Sequence, residues 1–577
     1  MLSKRNWLLG LAIVLMTILV YLPAIQGGFV WDDDAYVTEN QLLTSPKGLV
    51  RIWLEPLSTP QYYPLVFSSF WLEYQLWRLR PIGYHVVNVL LHATSALVLW
   101  LLLKRLCIPG AWLAAAVFAL HPVHVESVAW VTERKNVLAG LFYLISALYL
   151  VRFFGLDREE KEQSSHSWYL YVAALILFAC ALLSKTVTCS LPAAIILVLW
   201  WKRGRVIWRE VVSLVPFILL GLAFGLLTVW VERHHVGATG SSWELSFLER
   251  CLIAGRALWF YAGKLVWPGE LIFNYPHWRI DSSVWWQYVY PLGAIMMILV
   301  LWTFRQTIGR GPLVAVLFFC GTLFPALGFF NTYPMLFSYV ADHFQYLASI
   351  GLIALAVGAL TRIALIRPAR LQQIGVCLGL GVLLLLGINT WHQSRIYTDQ
   401  ETLWRDTLEK NPDSWLAHNN LAAVLVKRGR FKQAIDHYYE VLRLRPDYAE
   451  AHNNLGGLLE TQGRYMKAIA HYTEALRLDH DYAEAHNDLG ALFMQLGMYD
   501  KAIGHISEAL RLAPDYAEAH NNLGVLLMRQ GMIRRAVGHY SEALRLKPNF
   551  TEARYNLEFA LRKMGKLSVK SKTDVRQ

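Results

Sequence analysis

Three adjacent carboxylates, Asp32, Asp33 and Asp34 in GGFVWDDD, follow directly on the first long apolar run. Like charges this close repel, so at least one should hold its proton more tightly than an isolated aspartate unless a cation is near. Four more polar groups fall at the ends of apolar runs. HPVHVESVAWVTERKN offers the imidazoles His121 and His124, the carboxylate Glu126, and the cations Arg134 and Lys135. Lys185 in LLSKT lies between two runs, where an ammonium suits a phosphate carried on a lipid. Asp342 and His343 in SYVADHFQYLAS, and Tyr84 and His85 in GYHVVN, complete the set. A charge at mid-bilayer costs about 2.5–3.5 kcal/mol on the insertion scale, so residues of this kind are sought out first. Carboxylates beside cations at a membrane surface suit transfer of a sugar from a lipid phosphate. Cations receive the anionic leaving group while a carboxylate takes the proton of an acceptor hydroxyl on the opposite side. Ion or proton transport is the alternative, and it ranks second because the charges gather on one face. For the aspartates the plain alternative is a solvated loop, weakened by their following Phe-Val-Trp at a membrane exit.

The elements that must position these groups are apolar. Hydrophobic residues make up 55% of the 577 residues and charged ones 17%, where a soluble chain carries about a quarter charged. The deficit is concentrated before about Trp391. A crossing helix needs ~20 mostly apolar residues, and eleven spans are expected near 7–25, 84–103, 111–130, 137–151, 168–184, 186–201, 211–231, 285–304, 312–330, 339–361 and 371–391. Segment 250–267 carries Arg250, Arg256 and Lys264 and is expected to lie in the interface. With eleven spans, Lys4/Arg5, Lys104/Arg105, Lys202/Arg203/Arg205/Arg209, Arg305/Arg310 and Arg362/Arg367/Arg370 share one side, which the positive-inside rule makes cytoplasmic. Segments 26–83, 131–136, 232–284 and 331–338, and everything after the last span, then lie outside. The net charge of +12 is thereby explained by topology, not by nucleic acid. The run from Trp7 to Leu22 reads as an uncleaved anchor. Cys107, Cys180, Cys189, Cys251, Cys320 and Cys377 form no CxxC pair and read as small apolar residues.

The remainder repeats every 34 residues, with YAEAHNNLGGLLETQGRYMKAIAHYTEALRLDHD from Tyr448 matched from Tyr482 and Tyr516 and a less regular copy from Trp415. Period and pattern resemble the tetratricopeptide repeat, a helix–turn–helix that stacks into a solenoid. The expected architecture is therefore all-α: a polytopic membrane domain over 1–391, a linker and half repeat over 392–414, a soluble TPR solenoid over 415–565, and a polar tail over 566–577. His418, His452, His486 and His520 recur at the period, and packing is favoured over a metal array. Asn420, Asn454, Asp488, Asn522 and Asn556 form a second column. An amide both donates and accepts, so this column could bracket the backbone of an extended peptide, and it resembles the asparagine ladder of the O-GlcNAc transferase TPR domain. Capping and hydration of helices is the alternative.

In order along the chain, FVWDDD, RPIGYHVVNVLLH, HPVHVESVAWVTERKN, LLSKT, NTYPMLFSYVADHFQYLASIGL and the repeats resemble the transmembrane-and-TPR-containing O-mannosyltransferases and their prokaryotic relatives. That family belongs to the GT-C glycosyltransferases, multi-helix membrane enzymes using polyprenyl or dolichyl phosphate sugars on the outer or lumenal face. The resemblance implies transfer of a hexose, mannose first, to Ser or Thr hydroxyls of a protein acceptor held by the TPR groove. It makes Asp32 and Asp33 catalytic, one of them the general base. Asp34, His121, His124 and Glu126 are the expected supporting groups, and Arg134, Lys135, Lys185 and His343 the expected grip on the donor phosphate. No cofactor beyond the lipid-linked sugar is required, and a divalent metal is left open. Two departures stand out: Tyr63 precedes Pro64-Leu65 where the family more often has Arg, and Asp342-His343 replaces Asp-Arg or Glu-Arg. His343 would grip phosphate only when protonated. A non-catalytic, membrane-anchored TPR scaffold is the competing class. Compact loops favour a bacterial inner membrane over the endoplasmic reticulum, with the active face and repeats extracytoplasmic.

Overall fold

The computed structural model describes residues 4–156, 168–235 and 244–574, with side chains to 565. Part of the expected outer segment 232–284, residues 236–243, and the end of the expected tail, 575–577, lie outside the described residues. The described residues are helical with no strand, in two compact units, Met1–Ser414 and Trp415–Gln577.

The first unit is built on α1 (Lys4–Val20), α2 (Pro81–Arg105), α3 (Ala111–Leu120), α4 (Arg134–Phe153), α5 (Trp168–Leu182), α6 (Leu191–Arg203), α7 (Trp208–His234), α8 (Phe247–Val266), α9 (Val289–Thr303), α10 (Gly311–Leu323), α11 (Ser349–Leu365) and α12 (Ala369–Ile396). Local chemistry sets the ends. Pro81 opens α2 at the one position where its missing N–H costs nothing, and Lys104/Arg105 close it against the negative end of the dipole. Gly110, at φ 72°, makes the left-handed turn into α3.

Five described helices are long and apolar enough to cross a membrane, six if one bent pair counts as a span. This is fewer than the eleven spans expected. The expected runs at 111–130, 186–201, 312–330 and 339–361 each surrender one end to turns or 3₁₀ helix. The clearest case is 111–130, where α3 and Pro122–Ala129 bend by 54°. Proline disfavours helix in the residue before it, and His121 is extended (φ −78°, ψ 125°). A break strands the last carbonyls of α3, which cannot be left bare in hydrocarbon. Side chains satisfy them: His124 Nδ1–H donates to Phe118 O (2.8 Å), His92 Nε2–H to Ala119 O (3.2 Å), and Thr390 Oγ to Leu120 O (2.6 Å). Segment 250–267 forms α8, outside the crossing set. One face buries Leu252, Ile253, Ala257 and Tyr261. Its cations find local partners: Arg250 donates to Gly328 O (2.7 Å), Arg256 lies 4.3 Å over Trp278, and Lys264 donates to Gly269 O and Glu270 O (2.9 Å each).

In the second unit, paired helices run from Trp415–Lys427 and Phe431–Leu444 to Ala517–Arg529 and Ile533–Leu546. A last helix, Thr551–Asp574, includes most of the stretch expected as a tail. Gly429, Gly463, Gly497 and Gly531 turn each pair at φ 72–78°. Ala468, Ala502 and Ala536 are fully buried, as is Leu455, with Leu489 nearly so. The two helices of a repeat approach so closely that a Cβ on Gly524 would stand 2.6 Å from the Tyr540 ring. Gly524→Val should lower the solenoid's stability by about 1–3 kcal/mol through overpacking. Gly504→Ala, in mid-helix with open space around it, should raise it by about 1 kcal/mol. Urea unfolding of the full-length protein, followed by helical circular dichroism, reads both shifts.

Candidate functional site

The polar groups of the first unit converge where helices stop. After α1 the chain turns through Trp31, a non-glycine residue at φ 45°, of the strained kind that clusters at working sites. The Trp31 ring stacks on Trp130 (5.4 Å, 25°) and meets Phe273, Phe337 and Trp404 edge-on. These contacts hold the aspartates against the broken segment 121–133.

The three aspartates differ in environment. Asp33 is fully buried and its carboxylate is spent: Oδ2 accepts from Val30 N–H (2.8 Å), and Oδ1 from Thr132 N–H (2.8 Å) and Thr132 Oγ (2.7 Å). Burial pushes its pKa up to about 7 against those hydrogen bonds. Asp32 is partly exposed, and its carboxylate accepts no hydrogen bond among the described residues. Its pKa is pushed up to about 6, chiefly by burial, with Lys135 opposing and Glu133 and Asp34 adding to the rise. Asp34 turns aside and accepts from Thr38 Oγ (3.0 Å).

Opposite lies a buried ion cluster centred on Glu133. Its carboxylate stands 3.0 Å from Lys135 Nζ, 3.3 Å from Lys185 Nζ and 3.9 Å from His343 Nε2. Lys185 reaches it from the non-helical link between α5 and α6, and burial brings its pKa down to about 8 although Glu133 opposes the shift. Glu126 fixes His343 twice, accepting from the ring Nδ1–H (2.9 Å) and from the backbone N–H (3.0 Å). Asn136 donates to His343 O (2.9 Å). Asp342 faces away, accepting from Tyr275 Oη (3.1 Å to each oxygen), and burial raises its pKa well above normal, with Glu126 adding. Lys135, Lys185, Glu126 and His343 are thus brought together, while Glu133, inside the same motif, was not singled out by residue type.

Three expected site residues are engaged elsewhere. Arg134 points to the opposite side of its helix turn and is saturated by Glu73 (2.5 and 3.2 Å), Tyr84 O (2.9 Å), Ser69 Oγ (3.1 Å) and Asn88. It cannot also grip a phosphate. His121 uses Nε2–H on Leu265 O (3.0 Å) and Nδ1 to cap Val123 N–H (3.4 Å). His124 closes the α3 break and meets Ser349 Oγ (3.0 Å). Both imidazoles are structural because both nitrogens of each are occupied. His85 donates through Nε2–H to Gly28 O (3.1 Å). Among the described residues no group of three or more His, Cys, Asp or Glu side chains converges as a metal site.

In the repeats, Asn420, Asn454, Asp488, Asn522 and Asn556 are all half-buried. A neighbouring column, Asn453, Asn487 and Asn521, is buried and laces the repeats together. Asn453 donates to Asp488 (3.0 Å), Asn522 to Asn487 (2.9 Å) and Asn556 to Asn521 (2.9 Å). Asn420 donates to Leu416 O (2.8 Å). The doublets Asn-Asn and Asn-Asp in the sequence signal this second column. The histidines pair between helices, His418–His437, His452–His471, His486–His505 and His520–His539, with Nδ1–Nδ1 distances of 2.8–3.0 Å.

Comparison with known proteins follows the same division. The tetratricopeptide repeat family matches residues 414–479 and 517–550, and a TPR repeat family matches 490–531. The crystal structure of MamA shares 23% identity over 26% of this chain and 86% of its own, with a TM-score of 0.24. Protein O-mannosyl-transferase F38B6.6 of Caenorhabditis elegans is 28% identical over 455 residues, covering 75% of this chain and 62% of that protein. Protein O-mannosyl-transferase TMTC4 of Mus musculus is 25% identical (74% of this chain, 65% of that protein). Protein O-mannosyl-transferase TMTC1 of Homo sapiens is 26% identical (74% and 54%). The chain therefore spans 54–65% of the length of these relatives, and the likeness read from its motifs holds at family level. All three relatives are animal proteins and lend no support to a bacterial inner membrane.

Arg134→Met should cost about 3–5 kcal/mol by leaving the buried Glu73 carboxylate unpaired, whereas Glu73→Met with Arg134→Met should recover most of that loss. Thermal unfolding of the detergent-solubilised protein measures both, and equal losses in the two variants would reject the structural role.

Proposed function

We propose, from this similarity and the geometry beside the aspartates, that the chain is a membrane glycosyltransferase. It would move a hexose, mannose by analogy with its relatives' names, from a lipid-phosphate donor to a Ser or Thr hydroxyl of a protein. The observation that carries the reading is a partly exposed, unbonded carboxylate, Asp32, that feels the charge of Lys135, an ammonium held together with Lys185 by one carboxylate, Glu133.

In this reading Asp32 accepts the hydroxyl proton as the acceptor oxygen attacks the anomeric carbon. The bond from that carbon to the phosphate oxygen breaks, and the charge left on the phosphate is received by Lys135 and Lys185. Glu133 keeps both ammonium groups charged and in place, which supports electrostatic stabilisation without reorganisation at the moment of reaction. Asp33 acts through Thr132 to hold the Asp32 backbone, and the Glu126–His343 pair closes the far side of the cluster. Tyr63, where the family more often has Arg, is buried, so the cations assigned to the phosphate here are the two lysines. Asn420, Asn454, Asp488, Asn522 and Asn556 would hold the acceptor chain. The helix ends carrying Lys104/Arg105, Lys202/Arg203 and Arg362 are opposite those that bear the site, which supports an extracytoplasmic active face. A TPR scaffold without catalysis would leave the buried cluster, costly in a membrane, without a use.

Asp32→Asn should lower kcat for transfer from a polyprenyl-phosphate sugar by about 10²–10⁴ with an unchanged melting temperature. Full activity in that variant would remove the proposed base. The pH profile follows from the two perturbed groups. The base must be ionised, so kcat/KM should rise as pH passes about 6, where Asp32 loses its proton. The phosphate grip needs a charged Lys185, so the rate should fall as pH passes about 8. Lys185→Arg should move only the alkaline limb upward.

A further inference from the structure

An apolar cavity of about 560 Å³ lies inside the first unit among α2, α4, α6, α10 and α11, lined by residues such as Leu102, Ala147, Ala194 and Phe318. It begins below the ion cluster, at Leu191 and Ile350, and runs to the opposite, basic ends of the helices, where Arg310 and Arg362 border it. Three other cations on that side are engaged. Lys202 donates to Leu106 O, Arg203 pairs with Glu210, and Arg305 donates to Trp302 O (2.6 Å). Arg310 lies 5.6 Å over the Trp200 ring. Neither Arg310 nor Arg362 has a carboxylate or carbonyl partner among the described residues. Two guanidinium groups without an anionic partner, one of them lying over Trp200, at one mouth of an apolar cavity complement a molecule with an anionic head and a hydrocarbon body, because guanidinium matches phosphate oxygens in fork geometry.

We infer that this cavity is a binding site for an anionic glycerophospholipid of the membrane leaflet on the basic side. Its headgroup phosphate sits between Arg310 and Arg362 and an acyl chain extends towards Ile350. Basic pockets between membrane helices on the cytoplasmic side take anionic lipid headgroups in this way. The donor's chain is a poorer occupant: its phosphate belongs at the cluster on the other side, which would leave the arginines unmatched. The preference for a glycerophospholipid over the donor's chain rests on the transferase reading, whereas the cavity and its basic mouth do not.

Native mass spectrometry of the full-length protein in detergent tests it, with phosphatidylglycerol and phosphatidylcholine as probes. One phosphatidylglycerol should bind at least about tenfold more tightly than phosphatidylcholine. Arg310→Gln with Arg362→Gln should reduce that preference to less than about twofold, and Ala194→Phe, which fills the cavity and leaves both arginines, should abolish retention of either lipid. If the double variant misfolds by circular dichroism, Arg362→Gln alone, at an exposed position, is read instead, with a loss of at least about threefold. An undiminished preference in the arginine variants, or a lipid still held by Ala194→Phe, overturns the site. So does displacement of phosphatidylglycerol by an equal concentration of polyprenyl phosphate, which would assign the cavity to the donor's chain.

Discussion

A single buried carboxylate organises the polar part of the membrane unit. Glu133 lies within 3.3 Å of two ammonium groups and 3.9 Å of an imidazole, in a place where none of these charges could be tolerated alone. An unpaired ion in such surroundings costs several kcal/mol, and pairing offsets this only if geometry is good and other polar atoms are satisfied. The rest of the structure meets that condition. Lys135 and Glu133 come from one broken segment, Lys185 from the link between two helices, and His343 from a 3₁₀ turn braced by Glu126. Each lysine must stay where it is for Glu133 to remain paired.

This explains why the helices are broken where they are. A continuous helix through 111–130 would carry its polar residues around the axis at 100° intervals and scatter them. The break at Pro122 folds His121–Glu133 into short turns and presents Glu126, Thr132 and Glu133 together. The cost is a set of carbonyls without helical partners, and His92, His124 and Thr390 meet it. The same trade recurs at Lys185 and before α11, where irregular backbone again carries residues of the cluster.

The repeat unit answers a different constraint. Its helices bury small residues against one another, so the groove must be stabilised by polar lacing between repeats. The buried Asn453, Asn487 and Asn521 column donates to or accepts from the next half-buried residue along. One hydrogen-bonding group of Asp488, Asn522 and Asn556 is committed to that lacing.

The sequence by itself determined the helical class and the 34-residue solenoid, because hydrophobic periodicity acts locally. It also brought the right loops together in name: the aspartate triplet, the HPVHVESVAWVTERKN motif, Lys185 and His343. What it could not decide was which member of each group does what. Asp32 and Asp33 are chemically identical, yet Thr132, a hundred residues away in sequence, ties up one and leaves the other open. Arg134 and Lys135 are adjacent cations, yet a helix places consecutive residues about 100° apart, so one meets Glu73 and the other Glu133. Where a long apolar run breaks likewise depends on packing, since a proline's effect on a membrane helix depends on whether neighbouring side chains can satisfy the carbonyls it frees. Residue types gave the inventory of charge, and only the tertiary structure, through long-range pairing in a low-dielectric interior, decided which charges are spent on structure and which remain available.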